Sequence, residues 1–155
     1  MKKVTTILAL VAAVLLTASC SMTRKIEADA VPVAYTELQH YFVNNTVNVQ
    51  QPFRHVFATQ EEFERYFGMA AVMGKDGQPT SINWKTQYVM AVINPVTDRD
   101  TQMYPVSVVQ NGNSIIFNYK VTKGEKRSYS ICPFVAVVLD KPVSDQQYTF
   151  YYNEK

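Results

Sequence analysis

The chain has 155 residues, of which 47% are hydrophobic and 12% aromatic, with ten Tyr and eight Phe. Lys and Arg number 15 against 13 Asp and Glu; Lys2 and Lys3 fall in an amino-terminal leader, so the remainder carries 13 of each sign. That balance argues against nucleic-acid binding through bulk charge, and the Tyr, Phe and Val content favours strands over helices.

Residues 1–20 read MKKVTTILALVAAVLLTASC. Lys2 and Lys3 form a basic start, and Ile7 to Leu16 an apolar run too short to cross a hydrocarbon core of about 30 Å as a helix. Small residues then lead into Cys20. Leu16-Thr17-Ala18-Ser19-Cys20 resembles the lipobox of bacterial lipoproteins, with Thr17 where that box usually has Leu. The resemblance implies a signal peptide over 1–19, acylation of Cys20 (palmitate-type chains) and a lipid-anchored tether over 20–30. Each buried CH₂ contributes about 0.8 kcal/mol, so two or three chains anchor stably. Ser21 stands where an Asp would imply inner-membrane retention, which points to the outer membrane of a bacterial envelope.

The rest, 31–155, reads as a single globular domain. At that size roughly two-thirds of the unfolded surface can be buried. Val31 to Val43 fits either a helical stripe (Tyr35, Leu38, Phe42) or strands. Phe53 to Ala58 reads as a short strand with Phe53, His55 and Phe57 on one face, which makes His55 a packed or hydrogen-bonded residue. Thr59 with Glu62 forms a capping-box pattern, and acids in the first turn suit the helix dipole. Phe63, Tyr66 and Phe67 follow at i, i+3, i+4, predicting a capped amphipathic helix near 60–67 that Gly68 can end. Residues 69–83 read as loop.

Residues 86–94, TQYVMAVIN, are a mostly apolar strand with the pattern of one covered on both faces. A polar loop, Asn94 to Asp100, is expected next. From Met103 to Val121 two runs of period-two alternation flank Asn111-Gly112, which supplies the positive φ of a tight hairpin. One run groups Tyr104, Val106 and Val108; the other groups Ile115, Phe117, Tyr119 and Val121. Lys120, Lys123, Lys126 and Arg127 form a basic cluster, read as a solvated strand end. Residues 125–130 continue the meander, Phe134–Leu139 is a second central strand ended by Lys141-Pro142, and Tyr148, Phe150 and Tyr152 alternate in a last strand. The expected class is α+β, mostly β: an antiparallel sheet or sandwich-like domain with one helix.

The second half, roughly 87–152, resembles the carboxy-terminal domain of the bacterial protease-complex inhibitor family. Tyr88-Val89-Met90-Ala91-Val92, the 94–100 loop, the hairpin and Cys132-Pro133-Phe134 carry the likeness. That family is similar to immunoglobulin-like cysteine-protease inhibitors, whose first binding loop holds an Asn-Pro-Thr-Thr-Gly run. Asn94-Pro95-Val96-Thr97 keeps part of it, with Asp98 and Arg99 in place of the Gly and aromatic that follow. The resemblance implies protease inhibition; loops at one end of a rigid sheet, here 94–101 and 122–133, are where the contacts are expected.

The candidate binding residues are therefore Asn94, Pro95, Thr97, Asp98, Arg99, Lys126, Arg127 and Pro133, on loops stiffened by Pro95, Pro105 and Pro133. The partner would be a protease or another envelope component, besides the membrane itself. Asp98 and Asp100 could pair as carboxylates, but Arg99 between them favours turn chemistry. Cys132 would need a base to act as a nucleophile, and neither His40 nor His55 is near it in sequence, so a small buried hydrophobe is expected. No serine-nucleophile motif, phosphate loop or metal-ligand spacing is seen, and neither a cofactor nor catalysis is expected. Alternative roles are a structural or assembly accessory of the envelope, and small-molecule or glycan binding.

Overall fold

A computed structural model describes residues 29–70, 73–74, 77–142 and 147–155; the leader, Cys20 and nearly all of the tether lie outside them. The elements in order are β1 (Val31–Pro32), β2 (Thr36–Glu37), β3 (Tyr41–Val43), β4 (Phe53–Phe57), α1 (Gln60–Glu64), β5 (Phe67–Met69), β6 (Gln87–Ile93), β7 (Thr97–Asn111), β8 (Ser114–Ile131), β9 (Phe134–Asp140) and β10 (Thr149–Glu154). The described chain is mostly β, with one helix of a single turn and a half. Among the described residues no helix is long and apolar enough to cross a membrane.

Two four-stranded sheets carry the architecture. The first has the order β1-β7-β8-β10 and the second β2-β9-β6-β4; β3 and β5 pair separately. The expected two-sided strand is β6. Tyr88, Met90 and Val92 point into a core shared with Phe117, Tyr119 and Val108 of the first sheet. Val89, Ala91 and Ile93 point the other way, against Phe57, Phe63 and Phe67. β9 divides likewise, with Val135, Val137 and Leu139 on one side and Ala136 and Val138 on the other. The second sheet is thus a middle layer, with the first sheet on one face and α1 with the β3–β5 pair on the other. That is why an antiparallel strand here reads as an unbroken apolar run instead of alternating.

The ambiguity over Val31–Val43 has a simple cause: the stretch is three strands of two or three residues, in three different sheets. None is long enough to print a period. β10 departs from an all-antiparallel sheet, running parallel to β8 from Thr149↔Ser114 to Glu154↔Tyr119. β9, in the opposite sheet, supplies the return path that parallel neighbours need.

The hairpin forms where expected, but its loop is Gly112-Asn113, closed by the pair Asn111↔Ser114. The positive φ sits on Gly112 at 54° and not on Asn111, the pattern of a turn with glycine at its first central position. The grouping of Tyr104, Val106 and Val108 fails. A register shift between Pro105 and Ser107 adds a residue to β7, so Val108 is 1% exposed while Tyr104 and Val106 are 44% and 50% exposed. A bulge of one residue flips every side chain beyond it.

The helix is capped as predicted: Thr59 Oγ1 accepts from the Glu62 backbone N–H at 3.4 Å. The reciprocal half of the capping box is replaced, because the Glu62 carboxylate meets His55 Nε2 at 2.7 Å. The helix also stops early, at Arg65 and not at Gly68. Arg65 N–H donates to Glu62 O and Tyr66 N–H to Phe63 O, three-residue spacings that tighten and end the coil. Gly68 sits in β5 instead, where a Cβ would lie 2.4 Å from the Phe42 ring. Phe67 begins that strand and Tyr66 stacks on Phe53 at 5.1 Å.

Phe57 is fully buried and touches the rings of His55, Phe63, Tyr66 and Phe67. Phe57→Ala should cost about 3–5 kcal/mol, as for other buried aromatics. Phe42→Ala, at a 46% exposed ring, should cost under about 1 kcal/mol. Urea unfolding of the two variants checks the order.

Candidate functional site

The stretches expected to be binding loops, 94–101 and 122–133, are largely strand. β7 begins at Thr97 and β8 runs to Ile131. Only 94–96 and 132–133 are connections, and they tie the ribbon to the middle sheet. Asn94 N–H donates to Pro133 O at 2.9 Å, and Cys132 Sγ lies 3.4 Å from Asn94 O. The strand character was hidden because the ladder is irregular. Between the pairs Thr97↔Ile131 and Arg99↔Lys126, β7 advances two residues while β8 advances five. A further shift follows between Arg99 and Thr101. Irregular pairing destroys the alternation that marks a strand.

The surplus length of β8 stands out from the body. Every residue from Thr122 to Ser130 is exposed, whereas Thr101 and Met103 on β7 are buried. Cross-strand charges hold it. Lys126 Nζ lies 3.0 Å from Asp98 and Arg127 donates to Asp100 at 2.5 Å, while Arg99 Nη1 reaches Gly124 O at 3.4 Å. The two carboxylates are therefore each matched to a cation and not to each other. The hydrogen bond from Lys126, with its charge, holds the Asp98 carboxyl below its ordinary range; the bond to Asp100 pushes Arg127 up. Tyr129 is 59% exposed and Val96 57%, an aromatic and an aliphatic surface flanking the ribbon's tied end. The sequence-predicted residues Thr97, Asp98, Arg99, Lys126 and Arg127 are brought together here, with Asn94, Pro95 and Pro133 at the base.

A second feature lies on the far side of the middle sheet. A cleft of about 550 Å³ opens between α1, the β3–β5 pair and residues 78–84. Phe63 and Phe67 stack in its floor at 4.8 Å; Tyr41 and Trp84 stand against Phe63 at 5.4 and 5.2 Å. Tyr41 donates its hydroxyl to Thr80 O at 3.0 Å, and burial, then the Glu64 charge, raises its pKa. Sequence reading missed this site, since it assigned Phe63, Tyr66 and Phe67 to a face on the sheet. A lone Trp directly after a Gly- and Pro-containing loop was the available signal.

Other ionisable groups do structural work. His55 is sandwiched beside Phe53 at 5.4 Å and bonded to Glu62. Burial raises the Cys132 thiol, as fits a packing role beside Phe134. Burial, then Tyr148, pushes Tyr88 up to about 12, and burial raises Tyr152 as well. Phenols so placed stay protonated near neutrality. Among the described residues no three His, Cys, Asp or Glu side chains gather to hold a metal. Comparisons with protein-family models, with curated proteins and with solved structures find no match to this chain.

Because its folded pKa is depressed, Asp98 stabilises the fold above the ordinary carboxylate value of about 3.9, and that contribution is lost as pH falls through the lower folded value. Lys126→Met should move the Asp98 titration midpoint upward, toward about 3.9, as followed by carboxyl NMR.

Proposed function

We propose that this chain is a lipoprotein of the bacterial outer membrane, held by acylated Cys20, and that the bulged face of the β7–β8 ribbon is a non-catalytic protein-binding surface. The anchor rests on the lipobox-like run before Cys20. The binding surface rests on one observation: β8 from Thr122 to Ser130 is wholly exposed yet pinned to β7 by two ion pairs. Exposed pairs of this kind add little stability, but they hold a shape in advance of binding, which lowers the ordering cost of association. Exposed Tyr129 on β8 and exposed Val96 just before β7 add an aromatic and an aliphatic side chain to the polar ribbon, and aromatics are enriched in interfaces. Protease inhibition is the form that the family resemblance implies, with Asn94-Pro95-Val96-Thr97 along the same edge.

Two experiments test this reading. Cys20→Ala should abolish palmitate labelling and move the protein from the membrane to the soluble fraction; continued membrane retention would remove the anchor. A photo-crosslinking p-benzoylphenylalanine at position 129 in intact cells should give a discrete adduct absent from a control at Lys85, at the other end of β6. A protease in the adduct supports inhibition, an envelope-assembly component supports an accessory role, and equal labelling at both positions refutes the surface.

A further inference from the structure

The cleft beside α1 has a chemical character of its own. Its walls are Tyr41, Phe63, Phe67 and Trp84, its ionisable groups among the described lining are Glu64 and Tyr41, and among the described residues no Lys, Arg or His lines it. The three glutamates of α1 are used differently. Glu61 takes Arg65 at 2.6 Å and Glu62 takes His55 at 2.7 Å. Glu64 faces the cleft, and no ion pair among the described residues reaches it; its carboxylate accepts from Gln60 Nε2 at 2.6 Å. Lys141 donates its ammonium to the backbone carbonyls of Trp84 and Ala58 and is not among the cleft's lining residues.

Aromatic faces carry a negative quadrupole that attracts a cation, most strongly at Trp and where water is displaced. A carboxylate at the rim adds to the same sign. Of the cleft's side-chain donors, Tyr41 is spent on Thr80 O, Gln60 on Glu64 and Thr80 on Glu37 O; Gln78 and Ser81 lie at the exposed rim, so the aromatic floor and the Glu64 carboxylate set the character of the interior. The volume is that of a small-molecule site. We infer that this cleft binds a small organic cation, an amine or alkylammonium group, with Tyr41 and Trp84 against its apolar surface and Glu64 balancing its charge. This site lies apart from the β7–β8 ribbon and does not depend on that surface being an interface.

Trp84 is the only tryptophan in the chain, so its fluorescence reports the cleft directly. The full-length protein in a maltoside detergent would be titrated with choline and, in parallel, with 3,3-dimethylbutan-1-ol, its uncharged isostere. Choline should change Trp84 emission saturably and the alcohol should not. Glu64→Gln should weaken choline about tenfold, the factor that 1.4 kcal/mol makes. Glu64 is exposed at the carboxyl end of α1, where a negative charge gains nothing from the helix dipole, so far-UV circular dichroism should be unchanged in that variant. No saturable response to choline, or an equal response to the alcohol, would overturn the assignment. So would undiminished choline binding by Glu64→Gln.

Discussion

Burial of both faces of the middle sheet is the constraint on which the rest of the structure depends. β6 and β9 pair from Gln87↔Asp140 to Ile93↔Phe134, and nearly every side chain along them is removed from water. At about 25 cal/mol per Å² of apolar surface removed from water, these two strands contribute to both hydrophobic clusters. Size is graded across the sheet. Ala91 and Ala136 are direct cross-strand partners on the helix side, and their small volume leaves room for the rings of Phe57, Phe63 and Phe67. The larger Tyr88, Met90 and Leu139 fill the space toward the first sheet.

The outer features follow from that layer. The ribbon leaves the middle sheet at Ile93 and returns at Phe134, so both of its strands are tied where 94–96 and 132–133 cross between sheets. With the ends held, the extra residues of β8 have nowhere to go but outward. The Asp98–Lys126 and Asp100–Arg127 pairs then determine how the surplus lies. Charged side chains along the part of β8 beyond Tyr119, where its pairing with β10 ends, also discourage edge-to-edge association. The basic cluster thus has a local electrostatic use, and half of it is neutralised in place.

On the opposite face, the short helix works as a spacer. His55 draws the Glu62 carboxylate toward β4, Phe63 plugs the core, and Glu64 is left at the cleft. One turn of helix thereby sends three acids to three environments. Gly68 matters in the same region, because only a residue without a Cβ lets the Phe42 ring lie over β5.

Much of the fold was legible from local pattern. The hairpin, the two apolar central strands, β4, β10 and the Thr59 cap each rest on period, run length or a capping residue within a few positions, and such signals survive in one dimension. The extension of β7 and β8 was not legible, because bulges broke the alternation at Thr97, Arg99 and Pro105. Nor was the parallel placement of β10, which depends on β9 lying in the other sheet. Of the candidate site, the sequence named the ribbon residues but took their setting for loops, and it did not reveal the cleft. Local pattern alone was enough to place the hairpin, the buried apolar strands β6 and β9, and the Thr59 cap. Only the tertiary structure decided that Asp98 and Asp100 meet Lys126 and Arg127, and that Tyr41, Phe63 and Trp84 converge beside Glu64. Each Asp lies more than twenty residues from its cation, and Tyr41 and Trp84 each lie twenty or more from the Phe63–Glu64 turn, so only packing across a common sheet brings them within reach.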